Sequence, residues 1–311
     1  GAQASRLHTA NETFALPEII MHEKRVKTNQ IELQIQDNEH KGEAIIFLHF
    51  SGANLMMWQR AIPYFQDLYR LILVDLRGHG KSQQAESGYH MDEMARDIVG
   101  MMAHLGIDRA HIVGSSLGAE VGLSMAANYP DKVISLVCDG ALNSEYGPYG
   151  TWEGSEDDFE AHVAEQLEKI RSTPEAFFPS AEAFVASRQA LFEQYDWWNE
   201  YLAATEQHGV YQTEDGQYRK AFGRQATAVY MANYYHYRFE DYYAKVTCPL
   251  LMLAEKDSED EREKAAMQGL KELAAQGEIA EIDEWAHPYM WFLNPEGACQ
   301  AILKFLGSIT A

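Results

Sequence analysis

The sequence has few cysteines for its length. Its 311 residues include only Cys138, Cys248 and Cys299, which lie far apart and form no CxxC pair. Cys138 and Cys248 lie in or beside strand-like runs, which favours buried free thiols over a disulfide framework. This cysteine usage indicates a reducing compartment, and we expect a cytoplasmic protein.

Positive charge and long apolar runs are also scarce. Twenty-five lysines and arginines face 47 aspartates and glutamates, which gives a formal net charge of −22. Such a surface repels nucleic acid and anionic lipid, so we expect neither a nucleic-acid nor a membrane partner. No apolar run approaches the length of a membrane span. We therefore expect a small-molecule substrate, while the sequence leaves the oligomeric state open.

The N-terminal stretch does not have the pattern of a signal peptide. It lacks a charged segment followed by an apolar one. Met21 is a plausible native start, so we expect residues 1–20 to be a leader or a remnant of expression.

Strand-like and helix-like segments alternate along most of the chain. Continuous apolar runs are typical of strands covered on both faces, and they occupy residues 43–50, 69–76, 133–140 and 248–257. Segments with helical spacing, such as 91–105 and 261–275, lie between them. The alternation predicts an α/β fold with a mostly parallel central sheet and helices on both faces.

The alternation stops near Asn143 and resumes near residue 248. The stretch between is helical in pattern, charged and aromatic. We therefore expect an α/β core formed by residues 21–142 and 246–311, with a helical insertion at 143–245.

A serine lies where a strand turns directly into a helix, in HIVGSSLGAEVGL (111–123). Gly114, Ser116 and Gly118 form G-x-S-x-G, which centres Ser116 and leaves Ser115 as a flank. Small residues on either side tolerate a strained turn, and the hydroxyl is then exposed at a helix N-terminus. Ser116 is our candidate nucleophile, although a plain Gly/Ser turn would have the same residues.

An activated serine requires a base and an acid that orients the base. In parallel sheets, functional groups gather after the carboxyl ends of strands. His287 follows the final strand-like run and is our candidate base. Asp257 ends the run LLMLAEKD and is our candidate acid; Asp139 in VCDG is its serious rival, ahead of Glu255 and Asp260.

An oxyanion intermediate requires two hydrogen-bond donors. The backbone N–H of Leu117, directly after the candidate nucleophile, would be one. The second should come from the loop HFSGAN (49–54), with Ser51 as our choice and Phe50 as the alternative.

No motif predicts a cofactor or a metal. RGHGKS (77–82) contains Gly-Lys-Ser, but a phosphate loop requires a glycine five positions before Gly80, where this chain has Asp75. Metal-ligand spacings such as HExxH are absent from the sequence. We expect neither cofactor nor metal.

Together these motifs resemble the α/β-hydrolase fold family. The resemblance rests on FLHFSG (47–52), DLRGHGKS (75–82), VGSSLG (113–118), LLMLAEKD (250–257) and WAHP (285–288), and it covers about residues 24–310. It implies Ser116 as nucleophile, Asp257 as acid and His287 as base, with 143–245 as the family's cap domain. One departure is His49-Phe50, where the family usually has His-Gly, and it affects the path of the oxyanion loop.

The resemblance implies three possible activities. We favour a serine hydrolase of a carboxylic ester or lactone, and the aromatic residues of the cap favour an apolar or aromatic substrate. The second is a C–C bond hydrolase of a vinylogous diketone, which would need a cap arginine such as Arg188 or Arg224 aimed at a substrate carboxylate. The third is a small-molecule receptor with slow turnover.

Overall fold

The computed structural model describes residues 20–140, 143–283 and 286–309. Apart from Ile20, the expected leader at 1–20 lies outside the described residues. So do Trp285 of the WAHP motif and the expected domain boundary at residue 142.

The central element is a mixed sheet that is parallel except at one edge. Its strands, with a separate short pair, are β1 His22–Thr28, β2 Ile31–Asp37, β3 Ala44–Leu48, β4 Arg70–Val74, β5 Ala110–Ser115, β6 Val133–Asp139, β7 Val210–Gln212, β8 Tyr218–Lys220, β9 Leu250–Glu255 and β10 Gly277–Ile282. The order in the main sheet is β1-β2-β4-β3-β5-β6-β9-β10. Strands β1 and β2 pair antiparallel with each other, β2 pairs antiparallel with β4, and the other neighbours are parallel. The predicted fold class is confirmed.

Helices lie on both faces of this sheet and in the segment between β6 and β9. They are α1 Ile62–Phe65, α2 Met91–His104, α3 Leu117–Asn128, α4 Glu156–Ser172, α5 Ala181–Phe192, α6 Glu200–His208, α7 Arg224–Tyr234, α8 Phe239–Tyr243, α9 Glu261–Leu273, α10 Met290–Leu293 and α11 Glu296–Ile309. Alternate side chains of the parallel strands point to opposite faces, so two apolar clusters form: one contains Ile46 and Ile112, the other Phe47 and Val113. Across the described segments, no helix is both long and apolar enough to cross a bilayer. The cytoplasmic location stays a prediction.

The chain leaves the sheet between β6 and β9, which are neighbours in it. We call residues 143–245 the inserted segment. It contains α4 to α8, and also the antiparallel pair of β7 and β8, which the sequence analysis did not predict. These strands have three residues each and are only partly buried, so they produce no continuous apolar run.

Two polar contacts connect the inserted segment to loops that follow core strands. Asn54, after β3, donates its side-chain N–H to the carbonyl of Thr205 in α6 over 2.7 Å. Asp75, after β4, lies 2.7 Å from Nε2 of His208 at the end of the same helix. Both Asn54 and Asp75 are buried. Breaking the first contact would leave the buried side-chain N–H of Asn54 without this acceptor, so the contacts favour one position of α6.

A buried carboxyl group joins α3 to the inserted segment. Glu120 is 1% exposed and accepts a 2.7 Å hydrogen bond from the hydroxyl of Tyr230 in α7. Burial disfavours its ionised form more than this hydrogen bond favours it, so the pKa of Glu120 is raised from 4.5 to about 8.

We expect this carboxyl group to make the protein less stable as pH rises. An acid whose pKa is higher folded than unfolded contributes stability that is complete below about 4.5 and lost as pH rises through about 8. The Glu120→Gln variant, which is neutral at every pH, should lose this part of the pH dependence. Urea unfolding of both proteins at several pH values across this range tests it. Equal pH dependence in the two proteins would contradict the prediction.

The passage from β5 to α3 requires two glycines because backbones meet there. A methyl group on Gly118 would lie 2.0 Å from the carbonyl oxygen of Leu48 at the end of β3. One on Gly114 would lie 2.3 Å from the carbonyl oxygen of Gly118 itself. Rigid backbone atoms make both contacts, so neither can be relieved by a side-chain rotation. The first and last residues of G-x-S-x-G therefore bring the serine turn against the start of the loop 49–54.

We expect Gly118→Ala to lower the free energy of unfolding by about 3 kcal/mol or more, because the added methyl must displace β3 or α3. Gly307→Ala is the matched control: a methyl there meets nothing within 4 Å, and it should be neutral or stabilising by up to about 1 kcal/mol. Urea unfolding of the two variants measures both effects. Similar stability of the two variants would show that the close contact between β3 and α3 at Gly118 is not constrained as described.

Candidate active site

Ser116 lies in strained backbone geometry at the N-terminus of α3. Its φ is 48° and its ψ is −117°, a region that residues with a side chain rarely adopt. Its N–H donates to the carbonyl of Asp139, and its own carbonyl accepts from Ala119 and Glu120 in the first turn of the helix. The turn is therefore fixed on both sides. Its side chain makes no cap hydrogen bond to the helix, so the hydroxyl is not engaged there.

His287 and Ser116 both lie close to Gly140. A methyl group built on Gly140, the residue after β6, would lie 3.0 Å from Nε2 of His287 and 3.2 Å from Cα of Ser116. The other ring nitrogen of His287, Nδ1, lies 2.8 Å from a carboxylate oxygen of Asp139. One ring nitrogen of His287 thus contacts a carboxylate while the other lies near the serine turn, an arrangement that suits a general base.

The carboxylate of Asp139 is fully buried and holds three hydrogen bonds. Besides His287 on Oδ1, its Oδ2 accepts from the hydroxyl of Ser115 and from the indole N–H of Trp291, each at 2.7 Å. Donors on both oxygens leave the carboxylate little freedom to rotate. Asp139 is therefore held in one orientation toward His287.

The structure brings His287 into contact with Asp139, the rival of the predicted Asp257. Asp257, chosen because it ends the strand-like run before the histidine, is exposed and follows β9. Asp139 ends β6, which is the direct neighbour of β5 and pairs Asp139 with Ser115 in register. The side chain at the end of β6 is therefore one strand nearer to the serine turn than any residue after β9. The rival that the sequence analysis kept open makes the contact.

Sequence reasoning also missed two members of the site. Ser115 was taken for a flank, yet its hydroxyl bonds to Asp139. Once β5 and β6 are known to be neighbours, their register reveals that contact. Trp291 lies in α10, four residues after His287, and its ring is 1% exposed. No short pattern in the sequence identifies its indole as a donor to Asp139.

Opposing effects set the pKa of His287. Burial disfavours the imidazolium and lowers the pKa, but the negative charge of Asp139 and its hydrogen bond favour the imidazolium. The two contributions of Asp139 prevail, and the pKa is raised above the ordinary 6.5. The ring is therefore a stronger base than an isolated histidine.

Three backbone N–H groups are available beside Ser116. Within residues 20–140, 143–283 and 286–309, nothing accepts a hydrogen bond from the N–H of Leu117, Ser51 or Phe50. Leu117 begins α3, and the loop carrying the other two lies against that helix through the contact at Gly118. Unpaired N–H groups at a helix N-terminus and a neighbouring loop suit an oxyanion.

His49 fixes the path of this loop. Its Nε2 accepts from the N–H of Leu76, so its proton is on Nδ1, which donates to the carbonyl of Phe50 at 2.8 Å. Burial lowers the pKa of His49 to about 4, and the ring is neutral near pH 7. The histidine is therefore a structural residue of the loop. The side chain of Phe50, where the resemblance implies glycine, packs edge-on against Tyr289 and Phe292.

The family of the chain follows from comparison with known proteins. The model of the alpha/beta hydrolase fold matches residues 43–245, and the chain belongs to this family. One relative is 3-oxoadipate enol-lactonase 2 of Acinetobacter baylyi, which is 39% identical over 30% of this chain and 35% of its own length. Another is 2-hydroxy-6-oxo-6-phenylhexa-2,4-dienoate hydrolase of Burkholderia cepacia, 31% identical over 51% of this chain and 57% of its own length. The matches thus span from about a third to just over half of these relatives.

Solved structures agree with the fold over nearly the whole chain. E-2-(acetamidomethylene)succinate hydrolase superposes with a TM-score of 0.73 at 24% identity, covering 93% of this chain and 100% of that one. A thermophilic esterase from Thermogutta terrifontis gives 0.67 at 22% identity, with the same two coverages. Identities this low establish the shared fold.

We expect Asp139→Asn to lower the pKa of His287 below 6.5. The substitution removes the charge that raises it, and the burial that lowers it remains. Asp257→Asn, which changes an exposed carboxylate, is the matched control and should leave the pKa in place. NMR titration of the His287 ring protons measures all three proteins. If Asp257→Asn shifts the pKa of His287 and Asp139→Asn does not, the acid is Asp257, which follows β9.

Proposed function

We propose that this chain is a serine hydrolase of carboxylic esters or lactones, with Ser116 as nucleophile, His287 as base and Asp139 as orienting acid. The observation that carries the proposal is the serine turn facing a histidine whose other nitrogen bonds to a buried carboxylate. The order Ser116, Asp139, His287 along the chain keeps the order nucleophile, acid, histidine.

In the proposed reaction, Nε2 of His287 takes the hydroxyl proton of Ser116 as Oγ attacks the ester carbonyl carbon. The carbonyl oxygen becomes an oxyanion, which accepts hydrogen bonds from the N–H of Leu117 and from Ser51 in the neighbouring loop. Collapse of this intermediate transfers the proton from His287 to the leaving alcohol and leaves an acyl group on Ser116. Water, deprotonated by the same nitrogen, then releases the acid and restores the serine.

Aromatic side chains beside His287 support an apolar or aromatic substrate under the inserted segment, which would be the cap. Tyr289 packs against Phe50 of the oxyanion loop and against Phe192 and Trp197 of the inserted segment, with ring centroids 5.0 to 5.6 Å apart. Other aromatic residues of the segment, such as Tyr237, are buried in the core cluster instead. A few rings, not all, would therefore line the substrate site.

A C–C bond hydrolase is the second candidate. It requires a cap arginine near the reacting groups, and Arg188 lines a small cavity together with Phe50 and Tyr289. Arg224, the other candidate, lines an outer groove instead. The enol-lactonase among the relatives favours the hypothesis of an ester or lactone hydrolase, and the dienoate hydrolase favours that of a C–C bond hydrolase.

We expect Ser116→Ala to reduce kcat by roughly 10⁵–10⁶-fold and Asp139→Asn by roughly 10⁴-fold, with folding retained. Ser115→Ala removes one of three hydrogen bonds to Asp139 and should cost roughly tenfold. The measurement is hydrolysis of p-nitrophenyl esters of increasing acyl length plus one aromatic acyl ester, with a six-membered lactone in parallel.

Each result of this series is decisive. Release that depends on Ser116 supports the ester or lactone activity, and the best acyl length gives the size of the substrate site. Full activity in Ser116→Ala would reject the nucleophile. No turnover by the unmodified protein would reject the ester activity and leave the C–C hydrolase and the slow receptor.

A further inference from the structure

A small cavity beside the oxyanion loop contains an excess of positive charge. Its volume is about 20 Å³. It lies between the loop 49–54, the residues after His287 and the inserted segment. The loop contributes Phe50, Gly52, Ala53 and Asn54, and the residues after His287 contribute Tyr289 and Phe292. The inserted segment contributes Arg188, Leu202, Thr205, Glu206, Gly209 and Lys220. Two of the lining side chains are cationic and one is anionic. The cavity is thus net positive in a chain whose net charge is −22.

Lys220 reaches the oxyanion loop at the end of β8. Its Nζ lies 2.6 Å from the point that a methyl group on Gly52 would occupy, and Gly52 has a φ of +81°. A residue with a side chain at position 52 would therefore be strained and would also displace the ammonium group. Among the described residues, nothing forms a hydrogen bond or ion pair with this Nζ. Burial lowers the pKa of Lys220, the negative charge of Glu206 opposes this shift, and the positive charge of Arg188 adds to it.

Arg188 adds a second positive charge and already pairs with Glu206, the one carboxylate among the lining residues. Its Nε lies 3.2 Å from Oε2 of Glu206 in α6, and its guanidinium lies 5.0 Å from the ring of Phe192. The same Nε is buried and makes no well-directed hydrogen bond. Glu206 can neutralise one of the two cations, and the second remains uncompensated.

We propose that Lys220 and Arg188 form an anion subsite that binds a carboxylate group of the substrate beside the oxyanion loop. This inference rests on the proposed function and names its substrate class: esters, lactones or ketones that carry a free carboxylate. The cavity has the volume of one water-sized group, and a carboxylate oxygen is of that size. The subsite adjoins both Phe50 of the loop and Tyr289, two residues after His287.

The test compares two esters of matched length. In mono-p-nitrophenyl adipate the acyl chain ends in a carboxylate, and in p-nitrophenyl heptanoate it ends in a methyl group. The ratio of their kcat/KM values isolates the carboxylate. We expect Lys220→Gln to lower this ratio about tenfold or more, which is the effect of one hydrogen bond to a charged group. Arg188→Gln should lower it as well.

Two further variants serve as controls. Arg224→Gln removes an arginine of the inserted segment that lines the outer groove, and it should leave the ratio unchanged. Lys220→Arg keeps the charge and should keep most of the preference, which separates lost charge from lost folding. A ratio that Lys220→Gln leaves unchanged, or equal losses on both esters, would overturn the subsite.

Binding of a carboxylate at the subsite can be tested separately from the proposed reaction. If neither ester is hydrolysed, adipate itself is the probe, and the readout is the rise in Tm of the Ser116→Ala protein. Stabilisation by adipate that is absent with sodium chloride at equal ionic strength, and is lost in Ser116→Ala/Lys220→Gln, supports the subsite. Equal stabilisation of both proteins, or none in either, would overturn it.

Discussion

The carboxylate of Asp139 is the point on which the arrangement of this site depends. It accepts hydrogen bonds from β5 through Ser115, from the histidine loop through His287 and from α10 through Trp291. A buried charge without such donors would be costly, so the three contacts stabilise one another's geometry. The backbone takes part as well, since the carbonyl of Asp139 accepts the N–H of Ser116. One residue thus positions both the proposed base and the turn that holds the proposed nucleophile.

The parallel sheet explains why these groups meet. Strands β5 and β6 end at the same edge, and their register places Ser115 opposite Asp139. The loop after β3 reaches the same edge because β3 is the other neighbour of β5. Glycines at 114 and 118 permit the close contact between this loop and α3. The proposed nucleophile, acid and oxyanion donors therefore follow three adjacent strands.

Much of this could be predicted from the sequence, for identifiable reasons. Continuous apolar runs marked β3, β4, β6 and β9, and the spacing of G-x-S-x-G marked the serine turn. The sequence alone could not decide between Asp139 and Asp257 as the partner of His287, because both end strand-like runs in the sequence. Only the lateral order β5-β6-β9 separates them, and no local pattern encodes lateral order.

The pair of β7 and β8 was missed for a different reason. Its strands are short and partly exposed, so tertiary contacts and not an apolar pattern determine them. Lys220 lies in β8, and its approach to Gly52 is a contact between residues far apart in the chain. Such a contact is visible only in the folded molecule.

The hydrogen bond from Asn54 to Thr205 has a consequence for how a substrate could enter. Asn54 lies in the same loop as Ser51, so α6 and the proposed oxyanion donor are mechanically linked. A movement of α6 away from the core must either break this buried bond or pull the loop away from Leu117. Admitting a molecule by a movement of α6 would therefore either cost a buried hydrogen bond or disturb the proposed oxyanion site, so substrate entry past α6 and oxyanion binding are coupled.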